Sequence, residues 1–400
     1  MAVNNKTMIS VTEAKQKIDE KVGLLHPAIL PLQEVAGLML AEDVYSKFDI
    51  PSFDQSSMDG YAIRFLEKDF PLEIANSIAA GDGKFYKINS KQTARIFTGA
   101  PLPQGADTVV TQEKVTIENK KLIVKDIDLK KGNNVRERGI EIKKGKLALS
   151  ANTLLTPASI GYLASFGIAE VLVFPAPKAC IIITGNELQM PGKPISNGQV
   201  YDSNSFSLSG ALRECGIHNI DILYANDQAD MVVSTLKKAL KKNDIILLTG
   251  GISVGDFDFV LEATEKCGVI KHFHKIKQKP GKPLYFGTLQ NKVIFGLPGN
   301  PGSALTCFYE YVLPAIKKMM NQKNSIQKIK AFLQSDYSKN PGMKHFLKGF
   351  YENGKATVLP SQASFQLSSF ALANCLIVVD EEKEIVKKGE EIEVHVFGKY

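Results

Sequence analysis

Four short runs dense in Ile, Leu and Val, at residues 179–184, 220–224, 245–249 and 293–296, set the strongest limit on what this chain can fold into. Such near-continuous apolar runs predict strands buried on both faces. Helical patterns separate them, as at 231–240 and 259–266. Strand, loop and helix repeated in this order predict a parallel α/β sheet covered by helices on both sides. In such sheets ligands bind where strands end and glycine-rich loops lead into helices. Three loops of this kind follow successive runs: Thr184-Gly185-Asn186-Glu187, then Thr249-Gly250-Gly251-Ile252-Ser253-Val254-Gly255-Asp256, then Leu297-Pro298-Gly299-Asn300-Pro301. Glycine lets backbone N–H groups close on an anion, and a helix N-terminus adds attraction. One loop alone is equally ordinary turn chemistry. Three in one segment point to a ligand site.

The flanking sequence follows other patterns. Ser10 and Glu13 form a capping-box pair ahead of Val11, Ala14, Ile18 and Val22 at helical spacing, which predicts a short helix. Between residues 72 and 147 short β-like runs alternate with Gly, Pro and Asn. There Val115-Thr116-Ile117 and Leu122-Ile123-Val124 predict a hairpin about the polar turn 118–121. Asn300-Pro301 puts a cap and a first-turn proline before a helix whose buried stripe is Leu305, Phe308, Val312, Ile316 and Met319. The charged stretch 317–330 reads as a helix end and connector. Asn353-Gly354, between Phe350-Tyr351 and Thr357-Val358, is a two-residue hairpin signal, and Ile392, Val394 and Val396 alternate. A small β domain is expected to close the chain.

Composition excludes several classes of function. At 400 residues the chain is too long for one core, and 44% hydrophobic with 23% charged residues is globular. No apolar run approaches the ~20 residues that cross a bilayer; the best stretch, 161–183, is broken by Glu170, Pro175, Pro177 and Lys178. The net charge of +7 is carried almost wholly by lysine, since only Arg64, Arg95, Arg136, Arg138 and Arg213 are arginines. The densest basic cluster, Lys237, Lys238, Lys241 and Lys242, has the helical spacing of a solvated face. Nucleic acid is therefore not an expected partner, whereas anionic small molecules are. The start of the sequence lacks a basic-then-apolar signal, and the five scattered cysteines suit reduced, buried thiols, so a cytoplasmic protein is expected.

Familiar nucleotide motifs fail. Residues 139–146 have one residue too many for a phosphate-binding loop, and Leu147 stands where Ser or Thr should be; Gly81-Asp82-Gly83 lacks the third glycine of a dinucleotide fingerprint. Carboxylates gather around the three loops instead: Glu187, Asp202, Asp227, Asp256 and Asp258. Hard oxygen donors beside a phosphate suit Mg²⁺, although each acid alone could cap a helix or turn. Lys275, Lys277, Lys279 and Lys282 flank Pro280-Gly281, forming either a solvated basic loop or a turn that offers ammonium groups to a dianion. The run 51–62, PSFDQSSMDGYA, mixes Asp54, Ser56, Ser57 and Asp59 with Phe53, Met58 and Tyr61, as a loop presenting polar groups to a site would.

That run resembles the signature of the molybdopterin molybdenumtransferase family. So do residues 97–107 (FTGAPLPQGAD) and 134–139 (NVRERG). The three loops, Lys279-Pro280-Gly281-Lys282-Pro283 and residues 296–303 are similar to the family's molybdopterin-binding domain. The resemblance runs in order from about Val11 to Phe397. It implies a homodimer with four domains: an elongated helical/β N-terminal domain (1–48 and 146–177), a β-rich inserted domain (49–145), a parallel α/β sandwich that binds molybdopterin (178–326) and a C-terminal β-barrel (327–400). The implied reaction is Mg²⁺-dependent insertion of molybdate into adenylylated molybdopterin, with release of AMP, in a site shared between subunits. Other partners so implied are the molybdopterin adenylyltransferase and apo-molybdoenzymes. Asp59, Glu187 and Asp258 would be catalytic, with Glu187 and Asp258 at the metal. Thr98, Thr184, Gly185, Asp202, Asn204, Asp227, Gly250, Gly251, Ser253, Gly255, Lys275, Lys279, Pro298, Gly299, Asn300 and Ser364 would hold the ligands. The chain departs from the family at Met343 and Lys348, where arginines are frequent, at Glu141 for Asp and at Gly302 for Val.

Two other functions compete. The α/β segment alone also resembles the enzyme that adenylylates molybdopterin with ATP, but the Asp59 loop and both β domains favour the later step. A receptor-anchoring scaffold, as in the related gephyrin, is the non-enzymatic alternative.

Overall fold

The structure, a computed structural model, describes residues 8–250, 259–323 and 326–397. Two compact units divide the chain. The first takes residues up to Ala28, Gly37–Met39 and everything from Phe174 onward; the second takes Ile29–Ala36 and Leu40–Val173.

In the first unit the strands Ile220–Ala225, Ala179–Thr184, Ile245–Thr249 and Lys292–Leu297 lie side by side in that order and pair in parallel. Their period of two divides the apolar side chains between faces. Cys180, Ile182, Ile246, Leu248 and Ile294 join one core with Val232 and Leu236 of the helix Ala229–Lys242 and Val260 of the helix Phe259–Lys266. Ile181, Ile183, Leu247 and Phe295 are buried outside that cluster, as are Leu208 and Leu212 of the helix Asn204–Glu214. The sheet is not wholly parallel, which corrects the sequence-based expectation. Tyr285–Leu289 runs antiparallel to Lys292–Leu297, and Ile270–Phe273 is antiparallel to Tyr285–Leu289 at the edge. The reversal is forced by a two-residue connection, Gln290-Asn291, with Gln290 at φ 53°, too short for any crossover.

The helix after Asn300 runs Pro301–Cys307, widens into a π turn at Phe308–Val312 and resumes at Leu313–Met319. Leu305, Phe308, Val312, Ile316 and Met319 are all buried. Asn300 makes no side-chain cap bond, contrary to its expected role. The helix Val11–Lys21 forms as expected, with Ser10 Oγ accepting from the Glu13 N–H at 3.1 Å, but the return bond of a capping box, from the Ser10 N–H to the Glu13 side chain, is not made.

The presumed connector 317–330 is shorter than its charge suggested, because Gln327–Leu333 is a strand. Its alternating side chains put Ala331 and Leu333 inside while the lysines point out. It belongs to a closed five-stranded barrel: Lys344–Glu352, Lys355–Val358, Gln327–Leu333, Glu391–Val396 and Cys375–Val379, which pairs back onto Lys344–Glu352. Asn353 and Gly354, at φ 48° and 77°, make its hairpin turn.

The second unit holds a six-stranded sheet in the order Thr108–Thr111, Gly60–Ile63, Gln92–Ile96, Leu72–Ile78, Lys121–Val124, Val115–Glu118. The expected hairpin is its last pair, and its turn narrows to Asn119-Lys120 at φ 48° and 62°. Ala62, Ile78, Ala94, Ile96 and Val109 pack one face; Ile63, Leu72, Val110 and Leu122 pack another cluster. Among the described residues no helix is long and apolar enough to cross a membrane.

Candidate functional site

Three strand ends of the first unit build one polar surface. Thr184 closes the Ala179–Thr184 strand, and its buried Oγ1 has no hydrogen-bond partner among the described residues. Gly250 follows the neighbouring strand at φ 87°; a Cβ there would lie 2.1 Å from the Thr184 carbonyl oxygen and 2.7 Å from its Oγ1. Only glycine can pass the chain through that gap. Asn204, at the start of the helix Asn204–Glu214, donates through Nδ2 to Thr249 Oγ1 (2.9 Å) and to the Gly299 carbonyl (2.8 Å). Its buried Oδ1 has no partner among the described residues. Thr249 Oγ1 donates to the Pro298 carbonyl at 3.3 Å. Thr184, Asn204, Thr249, Gly250, Pro298 and Gly299 therefore converge, with two buried oxygens left without partners. Unpaired buried oxygens cost free energy unless something else meets them.

The carboxylates around this surface differ in state. The exposed Glu187 folds back over Gly185, whose added Cβ would meet both carboxylate oxygens at 2.9 Å. Asp202 is buried and engaged within the fold: Oδ1 accepts from the Ser205 N–H (3.0 Å) and Oδ2 from the Tyr224 hydroxyl (3.1 Å). Asp227 donates its N–H to Asn186 Oδ1 at 3.3 Å, and its own Oδ1 is buried without a partner among the described residues. Gly251, Ser253, Gly255 and Asp258, with Asp256, lie outside the described residues. No group of three or more His, Cys, Asp or Glu that could hold a metal converges among the described residues. Mg²⁺ needs no such cage, since it keeps several waters and takes one or two carboxylates beside substrate phosphate. The exposed Glu187 oxygens fit that donor class.

The lysine turn is anchored to the helix after Asn300. Gln278 is fully buried; its Nε2 donates to the carbonyls of Pro280 (2.9 Å) and Gly281 (3.3 Å), while its Oε1 accepts from the Tyr311 hydroxyl. Gly281 sits so close to that helix that a Cβ would fall 2.5 Å from Cys307 Sγ. Lys279 is exposed and Lys275 half-buried, whereas Lys277 is paired with Glu381 at 3.0 Å. The amide of Asn300 donates to Ser364 Oγ at 2.9 Å, which joins the third loop to the turn 361–366.

In the second unit, three separated motifs meet around Asp59. Val135-Arg136 pairs with Ser56-Gln55, and Gly99 and Ala100 exchange backbone bonds with Ser56. Asp59 Oδ1 accepts from both the N–H and the hydroxyl of Thr98, each at 2.8 Å. Those bonds, chiefly the backbone one, hold its exposed carboxyl below the usual range. Gly60 opens the strand next to Val110, where an added Cβ would lie 2.0 Å from the Val110 carbonyl, so no side chain fits beside Asp59 on that side. Arg95 fixes the loop from the other side by donating to the Gly60 carbonyl at 3.1 Å, its guanidinium 5.0 Å from the Tyr61 ring centre.

Two supporting residues escape a sequence reading: Gln278 and Arg95.

Known proteins match the chain along nearly its whole length. Residues 9–167 match the MoeA N-terminal region (domain I and II), 180–318 a probable molybdopterin binding domain, and 330–397 the MoeA C-terminal region (domain IV). The molybdopterin molybdenumtransferase of Haemophilus influenzae is 37% identical over 401 residues, spanning 98% of this chain and 99% of its own. That of Nostoc is 33% identical across 91% of this chain and 87% of its own. The crystal structure of a molybdopterin biosynthesis MoeA protein from Pyrococcus horikosii superposes with a TM-score of 0.81 at 29% identity, covering 98% of this chain and all of the other.

Proposed function

The chain belongs to the molybdopterin molybdenumtransferase family, and from that premise we propose that it inserts molybdate into adenylylated molybdopterin, with Mg²⁺, releasing AMP. The observation that carries this reading is the pair of buried oxygens, Thr184 Oγ1 and Asn204 Oδ1, which have no hydrogen-bond partner among the described residues, at the strand ends beside Gly250. They are acceptors or hydroxyl donors waiting for polar groups of a ligand that sits across three strand ends. A phosphorylated pterin has such groups.

In this reading Thr184, Gly185, Asn204, Gly250, Pro298, Gly299 and Asn300 hold the pterin and its diphosphate, with Gly251, Ser253 and Gly255 of the second loop. Asp202 and Asp227 keep the rim in shape, and Ser364 closes it from the turn 361–366. Glu187 and Asp258 hold the Mg²⁺, which when bound offsets the charge of the diphosphate. Lys275 and Lys279 draw molybdate toward the pterin sulfurs by charge. Asp59, kept ionised by Thr98, would relay protons from the pterin thiols to the oxide they displace, which leaves as water, while a second water cleaves the diphosphate to free AMP. Its loop would come from the partner in a homodimer, so each site would need two chains. The working parts follow the segments 1–48 with 146–177, 49–145, 178–326 and 327–400. ATP-dependent adenylylation has no corresponding use for the Asp59 loop.

The test is direct. Purified protein, anaerobic adenylylated molybdopterin, Mg²⁺ and molybdate should release AMP and activate an apo-molybdoenzyme; release of none, or adenylylation of molybdopterin from ATP, contradicts the proposal.

A further inference from the structure

Lys348 sits in the barrel strand Lys344–Glu352 with 2% of its surface exposed. Its ammonium donates to three backbone carbonyls, those of Ser361 (2.7 Å), Gln366 (2.9 Å) and Ala363 (3.2 Å). An ammonium has three donors, so the set is complete. Among the described residues it forms no ion pair, and burial pushes its pKa down. The ammonium also lies over the Phe370 ring, 5.9 Å from its centre, yet a desolvated cation held by carbonyls and a ring face, with no carboxylate, is a costly device where an apolar side chain would fill the space. What the cost maintains is the shape of one turn. All three carbonyls belong to 361–366, and Gln362 ties the same turn to the Lys348 backbone, accepting its N–H at 3.0 Å and donating to its carbonyl at 2.8 Å.

The turn carries Ser364, whose Oγ accepts from Asn300 Nδ2 at 2.9 Å in the third glycine loop. From the opposite side it rests on Gly302, where an added Cβ would lie 2.8 Å from the Ser364 carbonyl and 3.3 Å from that of Gln366. Lys348 and Gly302 both close on this one turn, from different elements. We propose that Lys348 is a positioning residue for substrate binding, its ammonium fixing the turn 361–366 so that Ser364 stands against Asn300 at the strand-end site. The role rests on the function proposed above, and it is a role in ground-state binding.

The prediction is a split between binding and turnover. Lys348→Met should weaken binding of adenylylated molybdopterin about tenfold, roughly the value of one hydrogen bond, and raise KM with little change in kcat. Lys348→Arg should restore it. Ser364→Ala should give a similar loss, and the double variant no more than either alone. Gly302→Ala, which presses on the same turn without touching the ammonium, should also raise KM and so tests the turn if Lys348→Met does not fold. Amide hydrogen exchange in 361–366 should quicken in Lys348→Met while the rest of the barrel stays protected. Additive losses in the double variant, unchanged affinity, or a barrel loosened throughout would overturn the role. A wild-type protein that binds no adenylylated pterin would overturn the proposed function itself; one that binds it, with Lys348→Met binding equally well, overturns only the role of Lys348.

Discussion

Gly250 and Asp59 show two opposite ways in which a residue is fixed. Gly250 is fixed by what it lacks, since at φ 87° and with Thr184 so near no side chain fits. Gly250→Ala should therefore destabilise the fold by about 2 kcal/mol or more, measured by urea denaturation, through strain and overlap together. An unchanged midpoint would mean that the strand ends can separate. Asp59 is fixed by bonds it accepts, yet it is exposed and packs against little. Asp59→Asn should leave the melting temperature unchanged and reduce AMP release about 100-fold or more. A large drop in Tm would make the acid structural instead. Glycine, Asp and Thr at these places were legible from their motifs. The supports were not: Arg95 reaches Gly60 on another strand, and Gln278, which bonds its neighbours Pro280 and Gly281, is anchored by Tyr311 of a later helix that nothing local announces.

At the scale of elements, the long helix from Pro301 gains a function from its irregularity. The π turn Phe308–Val312 brings Glu310, 1% exposed, onto Lys15 Nζ of the N-terminal helix (2.5 Å) and His395 Nδ1 of the barrel (2.6 Å). Burial alone would raise the Glu310 pKa, but the Lys15 charge and the His395 bond outweigh it and leave it below its ordinary 4.5. A carboxyl depressed on folding adds stability that is complete above its ordinary value and lost as pH falls through the folded one. Stability should therefore decline as pH drops below 4.5, and Glu310→Gln should flatten that decline in a pH series of denaturation midpoints. Lys15→Met, which strands the buried carboxylate, should cost about 3 kcal/mol, at the low end for a broken buried pair because Lys15 is partly exposed. The parallel strands and both hairpins were legible because apolar runs and turn residues are local signals. The reversed strand Tyr285–Leu289 and the strand Gln327–Leu333 were not. Buried strands look alike in either direction, and lysines on the outer face of the second disguised its alternation.

At the scale of the whole molecule, the ordered motifs carried the family assignment from Val11 to Phe397, and full-length relatives bear it out. The sharing of a site between chains is a separate claim, because no local sequence pattern records which chain supplies a loop. Two inactive variants can decide it: Asp59→Asn, damaged in one half of the proposed site, and Glu187→Gln, damaged in the other. Unfolded and refolded together, they should regain AMP release to about a quarter of the wild-type rate, since in the proposed homodimer about half the pairs would be hybrids with one intact site of two. A mixture no more active than either variant by itself would contradict the two-chain site.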